Sequence, residues 1–96
     1  MERDQIIATL KQFKEQNQSK YNIIRIGFFG SAVRNDMSKR SDLDVVVMLE
    51  KQDLFHLIGI KQDLEEQFHV PVDIISYRNK MNTFLKGRID TEAVYV

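Results

Sequence analysis

Two aspartates separated by one leucine, Asp42-Leu43-Asp44, stand directly before the apolar run Val45-Val46-Val47. Side chains two apart on a strand point to the same face, with backbones roughly 6.5–7 Å apart, so both carboxylates can aim at one place. Like charges at a strand end repel and resist burial, so folding alone gives no reason for the pair. A hard cation seeking oxygen ligands does. Asp73, in VPVDIIS, is a third acidic residue interrupting an apolar strand. Beside the Asp44 strand it would complete a cluster of three carboxylates, which repel unless one or two magnesium ions neutralise them. Two ions about 3.5–4 Å apart are the usual device for in-line displacement at a phosphate.

Gly30-Ser31 supplies the complementary half, with ten residues between it and Asp42. Glycine lets backbone approach a ligand closely, and a following short helix would offer free amides and a positive dipole end. Ser31 adds a hydroxyl donor, and Arg34, one turn on, can reach phosphate oxygens from the same side. Together these residues read as a phosphate cradle opposite a metal cluster.

The elements that must position them follow from periodicity. Ile6, Ile7, Leu10 and Phe13 recur at helical spacing within Asp4 to Asn17, and the polar string Gln16 to Lys20 ends that helix. Tyr21 to Phe29 reads as a strand, with Ile24, Ile26 and Phe28 on one face and Ile23 and Phe29 on the other. Ser31 caps a short helix over Ala32 to Met37, and Ser38 to Ser41 is a polar loop. Leu43 to Leu49 is apolar on both faces after Asp44, which implies a central strand. Leu54, Leu57, Ile58, Leu64 and Phe68 mark a second amphipathic helix, interrupted by Lys61 and turning Asp63, Glu65 and Glu66 outward. Val70 to Ser76 is a third strand, whose Pro71 belongs near its start or on an edge. Asn79 to Glu92 forms a helix with Met81, Phe84, Leu85 and Ile89 on one face, and Ala93 to Val96 adds a short strand. This order predicts an α/β sandwich with a small sheet, one domain over residues 1–96.

Composition narrows the classes. Fourteen basic residues balance fourteen acidic ones, which argues against non-specific binding of nucleic acid. Cysteine is absent, excluding disulfides, thiolate zinc sites and cysteine nucleophiles. The amino-terminal MERDQIIATLKQ lacks the apolar core of a signal peptide, and no apolar run is long enough to span a membrane. The default compartment is the cytoplasm. GxxxxGK[ST], GxGxxG and GxSxG are all missing. His56 and His69 lack a matching ligand set.

The Gly30-Ser31 pair followed by Asp42-Leu43-Asp44 resembles the signature of the DNA polymerase β-like nucleotidyltransferase superfamily, and the short chain resembles its minimal, MNT-domain branch. The likeness covers nearly the whole chain: the leading helix, GSAVR, SDLDVVV, DLEEQF, VPVDIIS and RIDTEAVYV. It implies the α/β (α+β) palm-like fold of that superfamily, a small mixed sheet packed with helices. It implies that Gly30 and Ser31 hold nucleotide phosphates and that Asp42 and Asp44 hold metal. Asp73 matches the third carboxylate, which helps bind metal and activates the attacking hydroxyl, and Arg34 matches an arginine common in minimal members. Where the family often has Ala-Arg-Gly, this chain has Val33-Arg34-Asn35; asparagine tolerates a left-handed turn better than most residues.

The activity implied is a magnesium-dependent transfer of a nucleoside monophosphate, AMP from ATP, to a hydroxyl acceptor. By the same resemblance the acceptor is a tyrosine on a HEPN ribonuclease toxin, and the chain is its antitoxin. Two rivals stand beside this reading: a module that neutralises a partner by contact alone, and a transferase acting on a small molecule. Plainer roles also exist for the single residues. Asp-x-Asp occurs in glycosyltransferases and in exposed loops, Gly-Ser commonly makes a turn and cap, and Asp73 could be a solvated edge residue. Arg34 could be an ordinary surface arginine, and Lys39 and Arg40 a solvated loop.

Overall fold

The computed structural model describes residues 2–34 and 42–96. Chain order is α1 (Arg3–Tyr21), β1 (Ile23–Phe29), a 3-10 turn (Gly30–Ala32), β2 (Leu43–Leu49), α2 (Leu54–Phe68), β3 (Val72–Ser76), α3 (Thr83–Glu92) and β4 (Val94–Tyr95). The sheet runs β3-β2-β1-β4; β1 is antiparallel to β2 and β4, and β2 is parallel to β3. The parallel pair needs a crossover, and α2 provides it.

The two faces of the sheet are covered unequally. Leu43, Val45 and Val47 of β2 join Ile26 and Phe28 of β1 against Ile6, Leu10 and Phe13 of α1 and Ile60 and Leu64 of α2. Each such large side chain, withdrawn from water, contributes about 1.5–3 kcal/mol. On the opposite face Phe29, Val46 and Ile89 form a smaller cluster beneath α3. The sequence expectation of a central second strand, apolar on both faces, therefore holds. By alternation Asp42 and Asp44 lie on the face shared with Val46 and α3.

Several boundaries differ from the sequence reading, each for a local reason. Helix α1 runs through Gln16 to Lys20, because that polar string covers its solvent side. It reaches Tyr21, which is buried and donates to Asp63 Oδ2 at 2.6 Å. The left-handed Asn22 (φ 56) then ends it, so β1 starts at Ile23 and not at Tyr21. Between Ile23 and Arg25 the register with β2 slips by one residue, a bulge that exposes Ile24 and turns Ile23 into the main core. The expected faces of Ile23 and Ile24 are thus exchanged.

On α2 the fully buried positions are Ile60 and Leu64, whereas Leu54 and Ile58 are exposed. Lys61 is no interruption: its Nζ donates to the Val72 carbonyl and to Glu65. Asp63, expected to face outward, holds Tyr21, and Asp53 caps the helix by accepting from the N–H groups of Phe55 and His56. Strand β3 begins after Pro71 and lies at the sheet edge, as that proline requires. Helix α3 begins only at Thr83, where Asn82 accepts from the Leu85 N–H, and its Phe84 points to solvent rather than to the core.

Candidate active site

Strand register brings the acidic residues together. Asp42 and Asp44 are two apart at the start of β2, and Asp44 pairs directly with Asp73 across the parallel β2–β3 ladder. Paired residues of a ladder share a face, so all three carboxylates project from the α3 side of the sheet. Asp44 is half-buried between the exposed Asp42 and Asp73. Burial pushes the Asp44 carboxyl above the usual carboxylate range, and Asp73 adds to that rise. The Arg88 guanidinium opposes it, while Asp42 and Glu92 push further up. This is repulsion among neighbours in a partly dry place.

Gly30 closes the site from the β1 side. Its φ is +77°, a conformation that disfavours any side chain, and a Cβ there would fall 2.6 Å from Asp44 Oδ2. The backbone thus lies directly against the central carboxylate, as a phosphate-binding turn beside a metal would need. Ser31 sits inside the 3-10 turn and is half-buried. It does not cap a helix: Phe29 holds the cap position, and the Val33 N–H donates to the Gly30 carbonyl at 3.1 Å. The rest of the expected helix to Met37, with Asn35, Lys39 and Arg40, lies outside the described residues.

Two arginines flank the acids through one glutamate. Arg34 Nη1 is 3.5 Å from Glu92 Oε1, and Arg88 Nη2 is 3.7 Å from Glu92 Oε2. These half-exposed pairs contribute little to stability. Arg88 also lies 5.8 Å from the Phe29 ring centroid. Neither Arg88 nor Glu92 was singled out in the sequence. Their i, i+4 spacing is an ordinary helix pair, and only the packing of α3 over Phe29 and Val46 brings them to Asp44.

A cavity of about 460 Å³ opens beside the acids and includes Asp44, Asp73, Arg88 and Phe29 in its wall, with apolar side chains of α2, β3 and α3 beyond. Among the described residues no three acidic, cysteine or histidine side chains lie close enough together to hold a metal ion between them. The donor types nevertheless suit a hard divalent cation: three carboxylates on one face, the central one raised by burial first and then by Asp73. No helix among the described residues is long and apolar enough to cross a membrane.

The family model for the nucleotidyltransferase domain matches residues 10–96. A relative from Methanocaldococcus jannaschii, provisionally named protein adenylyltransferase MJ0435, is 38% identical over 78 residues, covering 80% of this chain and 83% of its own. A solved structure provisionally described as a minimal nucleotidyltransferase superposes with a TM-score of 0.74 at 28% identity, covering 98% of this chain and 95% of that one. A chain from the complex of a tri-AMPylated Shewanella oneidensis HEPN toxin with its MNT antitoxin shares the fold at a TM-score of 0.58. It is 21% identical, over 88% of this chain and 70% of its own.

Proposed function

Because the chain belongs to the nucleotidyltransferase-domain family, we propose that it moves AMP from ATP to a tyrosine hydroxyl of a HEPN-type partner and thereby acts as an antitoxin in the cytoplasm. One observation carries this reading: Asp44 pairs with Asp73, shares its face with Asp42, and lies directly under Gly30. Acid cluster and phosphate turn therefore meet at one point within a single domain.

Asp42, Asp44 and Asp73 are the residues that would hold magnesium. Bound there, one or two such ions supply charge neutralisation at the α-phosphate. The chain's own groups do the rest. Gly30 presents backbone to the triphosphate without a side chain in the way, and Ser31 donates a hydroxyl hydrogen bond to a phosphate oxygen. Arg34 and Arg88, released from Glu92, balance the charge that grows on the departing pyrophosphate. Asp73, the exposed acid at the cavity, accepts the proton of the attacking hydroxyl. The acceptor's hydroxyl oxygen forms the new bond to the α-phosphorus as the bond to the bridging oxygen breaks and pyrophosphate leaves.

The AMPylated HEPN toxin in the Shewanella complex supports a HEPN protein as the acceptor. The test is intact-mass spectrometry of the chain mixed with its HEPN-type partner, ATP and magnesium. The partner should gain mass in steps of one AMP, and Asp42→Asn should prevent it. Equal neutralisation of the partner by Asp42→Asn, with no mass gain in either mixture, would leave binding by contact as the activity.

A further inference from the structure

Strand β3 is a sheet edge whose outward side is only partly covered. Backbone groups along a strand alternate in direction. Pro71 accepts from the Leu43 N–H at 2.9 Å, and the Tyr77 N–H donates to Val47 at 2.8 Å, so the odd-numbered residues here turn toward β2. Val72 turns away from it: its N–H donates to Glu65 Oε2 at 3.0 Å and its carbonyl accepts from Lys61 Nζ at 2.7 Å. Those two side chains blunt the first position of the edge. By the same alternation the N–H and carbonyl of Ile74 point outward, and among the described residues no side chain holds them as Val72 is held. Beside them Leu54 is 69% exposed and Ile58 43%, and both line the cavity that ends at Asp44 and Asp73.

We propose that this edge takes an extended segment of the acceptor protein as an added strand, with a hydroxyl residue opposite Asp73 and an apolar residue opposite Ile74. The proposal rests on the reading of Asp73 as the group that receives the acceptor's proton. Main-chain hydrogen bonds to Ile74 hold the segment, and alternate side chains decide its sequence. A residue opposite Ile74 sends its side chain over Leu54 and Ile58, which accept only an apolar group. Its neighbour opposite Asp73 sends its side chain to the other face, where Asp73 and Asp44 stand. Acceptors are thus selected for a hydroxyl residue next to an apolar one in an extended stretch.

Charge excludes a second copy of this chain from the same place. Two β3 edges paired antiparallel continue one sheet with the same face up, so Asp42, Asp44 and Asp73 of both copies would crowd one surface. A neutral hydroxyl segment brings no such repulsion.

The test adds a capped peptide, Lys-Thr-Val-Tyr-Val-Thr-Lys, at millimolar concentration to nitrogen-15-labelled protein. The Ile74 amide should shift and its solvent exchange should slow about tenfold. The same peptide N-methylated at both valines should leave Ile74 unchanged, since its strand donors are gone. An unperturbed Ile74, equal binding of the methylated peptide, or dimers of the free chain paired through β3 would overturn the proposal. A peptide that protects Ile74 but takes no AMP from ATP and magnesium would instead sink the transferase reading and leave the strand site standing.

Discussion

Gly30→Ala probes the tightest contact in the site. At φ +77° an L side chain costs about 1–2 kcal/mol. The added Cβ would lie 2.6 Å from Asp44 Oδ2, whereas ordinary contact begins near 3.4 Å, so the carboxylate must retreat by most of an ångström. It is the end of a short side chain and can rotate, at a further cost of about 0.5–1.5 kcal/mol. Together these give roughly 1.5–3.5 kcal/mol. In a domain of this size that lowers the melting temperature by roughly 6–28 °C. The rotation also turns Asp44 off the point it shares with Asp73, so ATP binding with magnesium should fall along with stability. Gly87→Ala is the control. Nothing lies within 4 Å of the position a Cβ would take there, and Gly87 is inside α3. That change should stabilise by about 0.5–1 kcal/mol. Melting by circular dichroism and calorimetric titration of ATP measure both. If Gly30→Ala melts within two or three degrees (roughly 0.5 kcal/mol) of wild type and binds ATP equally, the proposed collision with Asp44 is wrong.

Without divalent metal, Asp44→Asn should melt higher than wild type at pH 7. The folded carboxyl binds its proton more tightly than the unfolded one, so ionised Asp44 costs stability that returns as pH falls toward about 3.9. The advantage of the neutral amide in Asp44→Asn should therefore shrink on acidification, and magnesium at a hundredfold above its dissociation constant should add about 2.7 kcal/mol to wild type alone. Ser31→Ala should weaken ATP binding roughly tenfold to a hundredfold, the loss of one hydrogen bond to a charged oxygen worth about 1.5–3 kcal/mol; unchanged calorimetric affinity would move the cradle elsewhere. Tyr21 is pushed up to about 12, first by burial and then by Asp63. Between pH 10 and 12 the unfolded phenol (pKa about 10) releases its proton while the folded one keeps it, so stability should fall across that window. Tyr21→Phe should remove that part of the slope, as read by alkaline denaturation.

The acid cluster was legible because its information is local: Asp42 and Asp44 share a face by spacing alone, and Asp73 needed only the assumption that β3 lies beside β2. The apolar runs of β1 and β2 likewise announced their strands. What escaped was decided by neighbours distant in sequence. The bulge at Ile24 depends on how β1 meets Leu49 and Met48, which no periodicity reveals. Lys61 looked like a flaw in an amphipathic helix until Val72 and Glu65 stood beside it. The polar tail of α1 looked like a stop, yet Tyr21 beyond it is anchored by Asp63, 42 residues on. Arg88 opened the RIDTEAVYV segment but had no role attached to it; its place beside Asp44 comes from the packing of Ile89 on Phe29 and Val46.

That packing sets which part of the molecule opens first. Helix α3 rests on a cluster with three buried members, whereas α1 and α2 share a core several times larger. Local opening costs least where the fewest apolar contacts are lost. Amide hydrogens of α3 should accordingly exchange at a lower free energy than those of β2, in a sub-global step that leaves the rest folded. Each such excursion lifts Arg88 and Glu92 away from Asp44 together and leaves the three aspartates in place on their strands. The opening thus strips Asp44 of the Arg88 guanidinium without disturbing Asp42 and Asp73, which are exposed throughout.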